Sequence, residues 1–437
     1  MNRLFLLLYS MLFCVLVSCS GSNKSTDTGK AVERTDSCLV DPTNTYEVYI
    51  PARKNDEKLP LMVILDAHGS GKYALKKFIQ GANQYPVVLI ASNLVKNGYQ
   101  GYEQAIHTLI DDVHQKYPVG EAVFMSGFSG GARMALDYGL VHPLNGLVMC
   151  GALANSDQIH ALRCPVISIS GMDDFNFLET AQYLFQEQTT PSNLIIELTN
   201  DSHNWPDNIL LGNALGFLYL SRNKAGTPGG DETRLKTYCR QQQIRMNLEK
   251  QRGDLLKASL IARNMTLTDP FNSDPSFAAA YREVKGSKGY VTQLNRLEKC
   301  LQVEISMRQP YLEAFQKKDT LWWKKEINTT DLKIKTEQDA YTVDMYRRIK
   351  GFLGIASYSL CKQAVGQQNA DALSKVLSVY RMLEPENPDM LYFCAFPTFW
   401  SGKNETTVYL LKKALKAGFS DRNQLKKDFS ESINSQL

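Results

Sequence analysis

Between residues 45 and 223 the chain alternates short, β-branched apolar runs with amphipathic stretches of helical period, and beyond residue 231 the runs stop. That change of pattern limits the fold more than any other feature. Candidate strands lie at 46–50, 61–65, 87–91, 122–126, 147–150, 166–170 and 194–198. Candidate helices lie between them at 73–81, 100–116, 130–141, 178–188 and 208–222. Strand–helix–strand alternation with continuous apolar runs predicts an α/β architecture, a mostly parallel sheet covered by helices on both faces. Residues 224–230 read Lys-Ala-Gly-Thr-Pro-Gly-Gly, a linker by composition that extends to 231. From 232 to 437 apolar residues recur at helical spacing, which predicts an all-α region. At 437 residues the chain is too long for one ordinary core. The linker therefore predicts a boundary that few contacts cross, with 232–437 folding as a unit of its own.

Charge divides at the same place. Residues 1–231 hold 16 Lys and Arg against 22 Asp and Glu, whereas residues 232–437 hold 33 against 23. All six histidines fall in the first part. The excess positive charge of the helical part is expected to be solvated helix face; contact with a protein, an acidic partner, anionic lipid or the acidic first module is the sharper alternative. Nine cysteines are scattered without a CxxC pair, so a zinc cluster is not expected and buried free thiols are.

The N-terminus has one basic residue, Arg3, followed by an uncharged stretch from 4 to 17, a signal-peptide core too short to span a bilayer. It runs into Leu16-Val17-Ser18-Cys19, which resembles the lipobox of bacterial lipoproteins, with Cys19 as the lipidated residue. Residues 1–19 are thus expected to direct export and membrane anchoring at the periplasmic face or outer membrane. Residues 20–44 are expected to form a tether.

Chemistry concentrates at Gly127-Phe128-Ser129-Gly130-Gly131, which follows an apolar strand and opens a helix. A nucleophile on a strained strand-to-helix turn needs neighbours without side chains, and the helix N-terminus favours developing negative charge. A serine also needs a base and an orienting acid. The acid is sought after a later strand, where Gly171-Met172-Asp173-Asp174 offers Asp174, with Asp173 as the alternative. The base is sought after the next strand, where His203 precedes Trp205 and Pro206. His107 and His114 flank Asp111 on a helix whose apolar face already explains it, so no metal site is expected. Oxyanion donors are expected from the backbone N–H groups of Gly130 and of Ser70 in the loop Asp66-Ala67-His68-Gly69-Ser70-Gly71. His68 is expected to shape that loop and to contribute to substrate binding, and Trp205 to form a stacking wall for substrate, with packing of the last helix as the alternative for Trp205.

These four motifs, in this order over about 180 residues, resemble the α/β-hydrolase superfamily, and within it the dienelactone-hydrolase, polyester-depolymerase and feruloyl-esterase-like group. The cysteine nucleophile of dienelactone hydrolases proper is replaced here by Ser129. The resemblance implies hydrolysis of carboxylic esters through an acyl-enzyme, without cofactor and without nucleic acid as partner. A serine peptidase, or a catalytically silent platform carrying a helical interaction module, remains the alternative. Only about 15 residues separate the strands at 147–150 and 166–170, too few for an inserted lid. An open site is therefore expected, suited to bulky or carbohydrate-linked esters. Near 354–420 the helical part weakly resembles tetratricopeptide repeats, through Cys361 and Ala395, Gly402 and Ala414, although generic helical hairpins fit as well.

Overall fold

The computed structural model describes residues 28–54, 57–186, 189–222, 231–267 and 270–437. The export segment, Cys19 and the linker at 224–230 lie outside the described residues. No described helix is long and apolar enough to cross a membrane.

Eight strands form one sheet: β1 (Val32–Ser37), β2 (Thr45–Ile50), β3 (Leu59–Leu65), β4 (Val88–Ser92), β5 (Val119–Phe128), β6 (Gly146–Cys150), β7 (Val166–Gly171) and β8 (Leu194–Thr199). Their spatial order is β1-β2-β4-β3-β5-β6-β7-β8. The pairings from β4 to β8 are parallel, whereas β2 runs antiparallel to both β1 and β4. Every residue of β3, β4, β6 and β7 is buried, because helices cover both faces. Alternate residues feed the two sides: Leu61, Val63 and Leu65 join one apolar cluster, Met62 and Ile64 the other.

Helices α1 (Gly71–Gln84) and α6 (Asn208–Ser221) cover one face. Helices α2 (Tyr102–Lys116), α3 (Gly130–Val141) and α5 (Phe177–Phe185) cover the other. A short helix, α4 (Ser156–Ala161), fills the connection between β6 and β7.

Strand β1 corrects the expectation of a tether at 20–44. Its sequence, Val-Glu-Arg-Thr-Asp-Ser, is polar because it is an exposed edge strand, and edge strands carry charges that discourage further pairing. Composition alone does not separate such a strand from a tether.

The second part is helical throughout its described residues: α7 (Glu232–Arg252), α8 (Leu255–Asn264), α9 (Pro275–Lys285), α10 (Lys288–Lys317), α11 (Thr320–Thr336), α12 (Ala340–Gly366), α13 (Ala370–Leu383), α14 (Pro388–Phe393), α15 (Ala395–Trp400), α16 (Asn404–Ala417), α17 (Arg422–Asp428) and α18 (Glu431–Asn434). Cys361, Ala395 and Ala414 are buried at helix contacts, as generic helical hairpins also require.

The expectation of an independent helical unit is corrected. Helix α8 straddles the open edge of the sheet at β8. Leu256 and Leu260 enter the cluster on one face, and Ala258, Ile261 and Ala262 enter the cluster on the other. The Asn264 carboxamide replaces a ninth strand: its Nδ2 donates to Ile196 O at 2.8 Å, and its Oδ1 accepts from Ile196 N–H at 3.2 Å. An exposed β8 would present unpaired backbone groups, and α8 covers them. A third apolar cluster, drawn from α10 onward, belongs to the helical part alone. Ion pairs also cross between the parts. Arg245 meets Glu197 at 2.9 Å, matching the basic-to-acidic division, whereas Lys96 meets Asp421 at 2.8 Å with the signs reversed.

Candidate active site

Strand β5 ends at Phe128 and α3 begins at Gly130, which leaves Ser129 alone on the turn with φ 55° and ψ −117°. A non-glycine residue at positive φ is strained, and such strain persists where the surroundings enforce it. Here they do. The Ser129 N–H donates to Cys150 O at 2.8 Å, and a Cβ on Gly127 would lie 2.3 Å from Gly131 O. A Cβ on Gly131 would lie 2.2 Å from Leu65 O. The two glycines thus let the turn close against β3, while the Ser129 side chain projects from the C-terminal edge of the sheet.

Strand β8 and its following loop bring His203 to this serine, with Nε2 at 2.9 Å from Ser129 Oγ. The turn after β7 brings Asp174, whose two oxygens each lie 2.9 Å from His203 Nδ1. Asp174 is 1% exposed, and its Oδ1 also accepts the Asn176 N–H at 2.8 Å. Asn176 in turn donates through Nδ2 to Gly151 O at 2.8 Å. Gly151, at φ 63°, leaves room for the row: a Cβ there would meet Phe128 at 2.8 Å and His203 Cε1 at 3.2 Å. The rings of Phe128 and Phe175 flank the imidazole, with centroids 4.7 and 4.2 Å from it. This apolar lining limits water around the base, and His203 keeps 20% of its side chain exposed beside the partly exposed serine.

Asp173 points away from His203, toward Arg347 of α12, with Oδ2 at 3.7 Å from Nη1. Burial, reinforced by Asp344 and opposed by Arg347, pushes its carboxyl up to about 6.

Two expectations need correction. The Ser70 N–H donates to Asp66 Oδ1 at 3.1 Å, as does the His68 N–H at 2.8 Å, so neither points at the serine. The cause is the aspartate at the start of the loop, whose carboxylate folds the following backbone around itself. Trp205 is 6% exposed; its indole N–H donates to Asp66 Oδ2 at 2.8 Å, and its ring packs on Phe78 and Phe128. It joins the base loop to the Asp66 loop and presents no stacking face to a substrate. His68 is exposed and close enough to Asp389 to favour that carboxylate, which burial otherwise pushes up.

Asn97 was not singled out by motif. Its N–H donates to Ala67 O at 2.9 Å, and its carboxamide lies across Gly130, where a Cβ would meet Oδ1 at 1.7 Å and Nδ2 at 3.0 Å. The N–H of Gly130 opens α3 and has no acceptor within the helix. The sequence signal was faint: an Asn-Gly pair in the loop after β4.

The site is also walled. Gly351 of α12 approaches Phe175, where a Cβ would meet the ring at 3.3 Å, and Lys96 beside Asn97 is paired with Asp421. The connection between β6 and β7 holds no inserted lid, and residues of α12 and the turn at Asp421 border the site from the C-terminal part.

A strand order of 1-2-4-3-5-6-7-8 with an antiparallel second strand and a serine elbow after the fifth is decisive. The chain has the α/β-hydrolase fold. No family model and no curated protein sequence matches the chain. Solved structures are similar to part of it. They include the esterase domain of a Rhodothermus marinus protein, with a TM-score of 0.33, 10% identity, 43% of this chain covered and 97% of that one. Esterase B from Lactobacillus rhamnosis gives a TM-score of 0.35, 13% identity and coverage of 44% and 87%. A dienelactone hydrolase-like promiscuous phosphotriesterase from metagenomic libraries gives 0.32, 14% identity and coverage of 41% and 87%.

Proposed function

We propose that this chain is a serine hydrolase that cleaves carboxylic esters through an acyl-enzyme. The observation that carries the reading is the unbroken row Asp174–His203–Ser129, with 2.9 Å at each step, on an elbow at positive φ. Ser129 Oγ attacks the ester carbonyl carbon as His203 Nε2 takes its proton. Asp174 keeps the proton-bearing Nδ1 turned toward itself and stabilises the imidazolium. The tetrahedral oxyanion is held by the Gly130 N–H and, after rotation of its side chain, by the Asn97 carboxamide. Collapse expels the alcohol, which takes the proton from His203. Water then repeats the sequence on the acyl-serine and releases the acid.

The row supports an enzyme over a silent platform, because the serine stays accessible and its base is oriented. Export and lipid anchoring at Cys19 are part of the proposal. They rest on the uncharged core at 4–17 after Arg3 and on the Leu16–Cys19 motif, and metabolic palmitate labelling that persists in Cys19→Ala would contradict the anchoring.

The reaction class is tested with the full chain on p-nitrophenyl acetate and butyrate beside a panel of peptide anilides. Ester turnover abolished by His203→Ala is expected. Peptide turnover exceeding ester turnover would overturn the ester reading in favour of a peptidase.

A further inference from the structure

The turn that carries Asp174 is held from outside its own module. Met172 O and Phe175 O flank the aspartate, and neither is taken up by the strand that precedes them or the helix that follows. Both accept from arginines of the C-terminal helices. Arg348 of α12 donates through Nη1 to Met172 O, and Arg308 of α10 donates through Nη2 to Phe175 O at 2.7 Å. Glu304 of α10 bridges the two guanidiniums, with Oε2 at 2.7 Å from Arg348 Nε and Oε1 at 2.6 Å from Arg308 Nη2. Glu304 and Arg348 are both fully buried. The Arg348 guanidinium also lies over the Phe177 ring at 5.1 Å, at the start of α5.

Burying an Arg–Glu–Arg bridge is a poor way to gain stability, because desolvation offsets most of the attraction and an apolar trio of similar volume serves as well. Such a bridge does fix geometry. Its guanidinium forks are planar and directional, and each also donates to one backbone carbonyl, the two carbonyls lying at either side of one side chain. Phe175, whose carbonyl Arg308 holds, packs its ring against His203 at a 40° tilt. The same clamp therefore sets both the carboxylate and one wall of the imidazole.

We infer that Arg308, Glu304 and Arg348 are positioning residues for the catalytic acid, so that the C-terminal helices form part of the catalytic apparatus. The inference rests on the serine-hydrolase reading. It goes beyond the triad by assigning a catalytic purpose to a region without a histidine. Displacement of a catalytic group by about 1 Å costs about 100-fold in rate, and the clamp prevents a displacement of that size.

The test is a double-mutant cycle in the full chain, with p-nitrophenyl acetate as substrate. Arg308→Met is expected to lower kcat about 10- to 100-fold, with KM changed less than about twofold and cooperative thermal unfolding retained. In an Asp174→Asn background the same change is expected to lower kcat by less than about threefold, because the group it positions is already disabled. Arg308→Lys keeps a cation beside Glu304 and folds even if Arg308→Met does not. It loses the planar fork, and a smaller kcat loss with the same non-additivity is expected. Equal losses in both backgrounds, a KM effect without a kcat effect, or no effect would overturn the inference. Wild-type turnover in Asp174→Asn alone would instead defeat the triad on which it stands.

Discussion

Asp173 and Asp174 are adjacent in the chain and face opposite ways: Asp174 receives His203 Nδ1 with both oxygens at 2.9 Å, while Asp173 lies 3.7 Å from Arg347 on α12. One aspartate serves the base, and its neighbour meets the helical region.

Asp174→Asn is expected to reduce kcat on the order of 10³- to 10⁴-fold, because an amide no longer holds the imidazole with its proton on Nδ1. Asp173→Asn is expected to stay within about tenfold of wild type. Steady-state kinetics on a p-nitrophenyl ester decides between them, and the reverse pattern would make Asp173 the acid.

Asp173 also gives the fold a pH dependence. Its carboxyl is raised to about 6 by burial, from an unfolded value of about 3.9. Between those values the folded state binds the extra proton, so this group's contribution is present below about pH 4 and is lost as pH rises through 6. Asp173→Asn removes the titration and is expected to stabilise the protein more at pH 8 than at pH 4. Thermal midpoints that shift equally at both pH values would contradict the assignment.

Asn97→Ala is expected to lower kcat about 100-fold with little change in KM, as loss of one oxyanion donor does elsewhere. Unchanged kcat would leave Gly130 to act with a donor other than Asn97.

Asn264→Ala removes the side chain that closes the β8 edge at Ile196 and is expected to cost about 2 kcal/mol in urea unfolding. A chain ending before α7 is expected to aggregate, because it exposes that edge together with the apolar surface beneath α8. A loss below about 0.5 kcal/mol for the single substitution would mean that the edge is protected by apolar packing alone.

Much of this was legible in the sequence, for reasons that differ by residue. Strands buried on both faces advertise themselves as apolar runs, and seven of the eight were located within a few positions. The exception, β1, is an exposed edge that reads as a tether. The elbow was legible because Gly127 and Gly131 are forced by close backbone approach, and the order of strands then led to Asp174 and His203. Gly130 followed from the elbow as one oxyanion donor, but the second donor was not legible. Whether Ser70 N–H is free depends on where the Asp66 carboxylate turns, and Asn97 reaches Gly130 only through the sheet order β4-β3-β5. The helical part was legible as helix but not as a partner. Arg348, Glu304 and Asn264 look like ordinary helix-surface residues until packing buries them against the first module.

The central claim is that Ser129 is a nucleophile activated by His203. The direct measurement is reaction of the full chain with a fluorophosphonate, followed by mass spectrometry of the modified peptide. One adduct on Ser129 is predicted, absent in Ser129→Ala and formed far more slowly in His203→Ala. Labelling that persists in Ser129→Ala, or an adduct on another residue, would contradict the account.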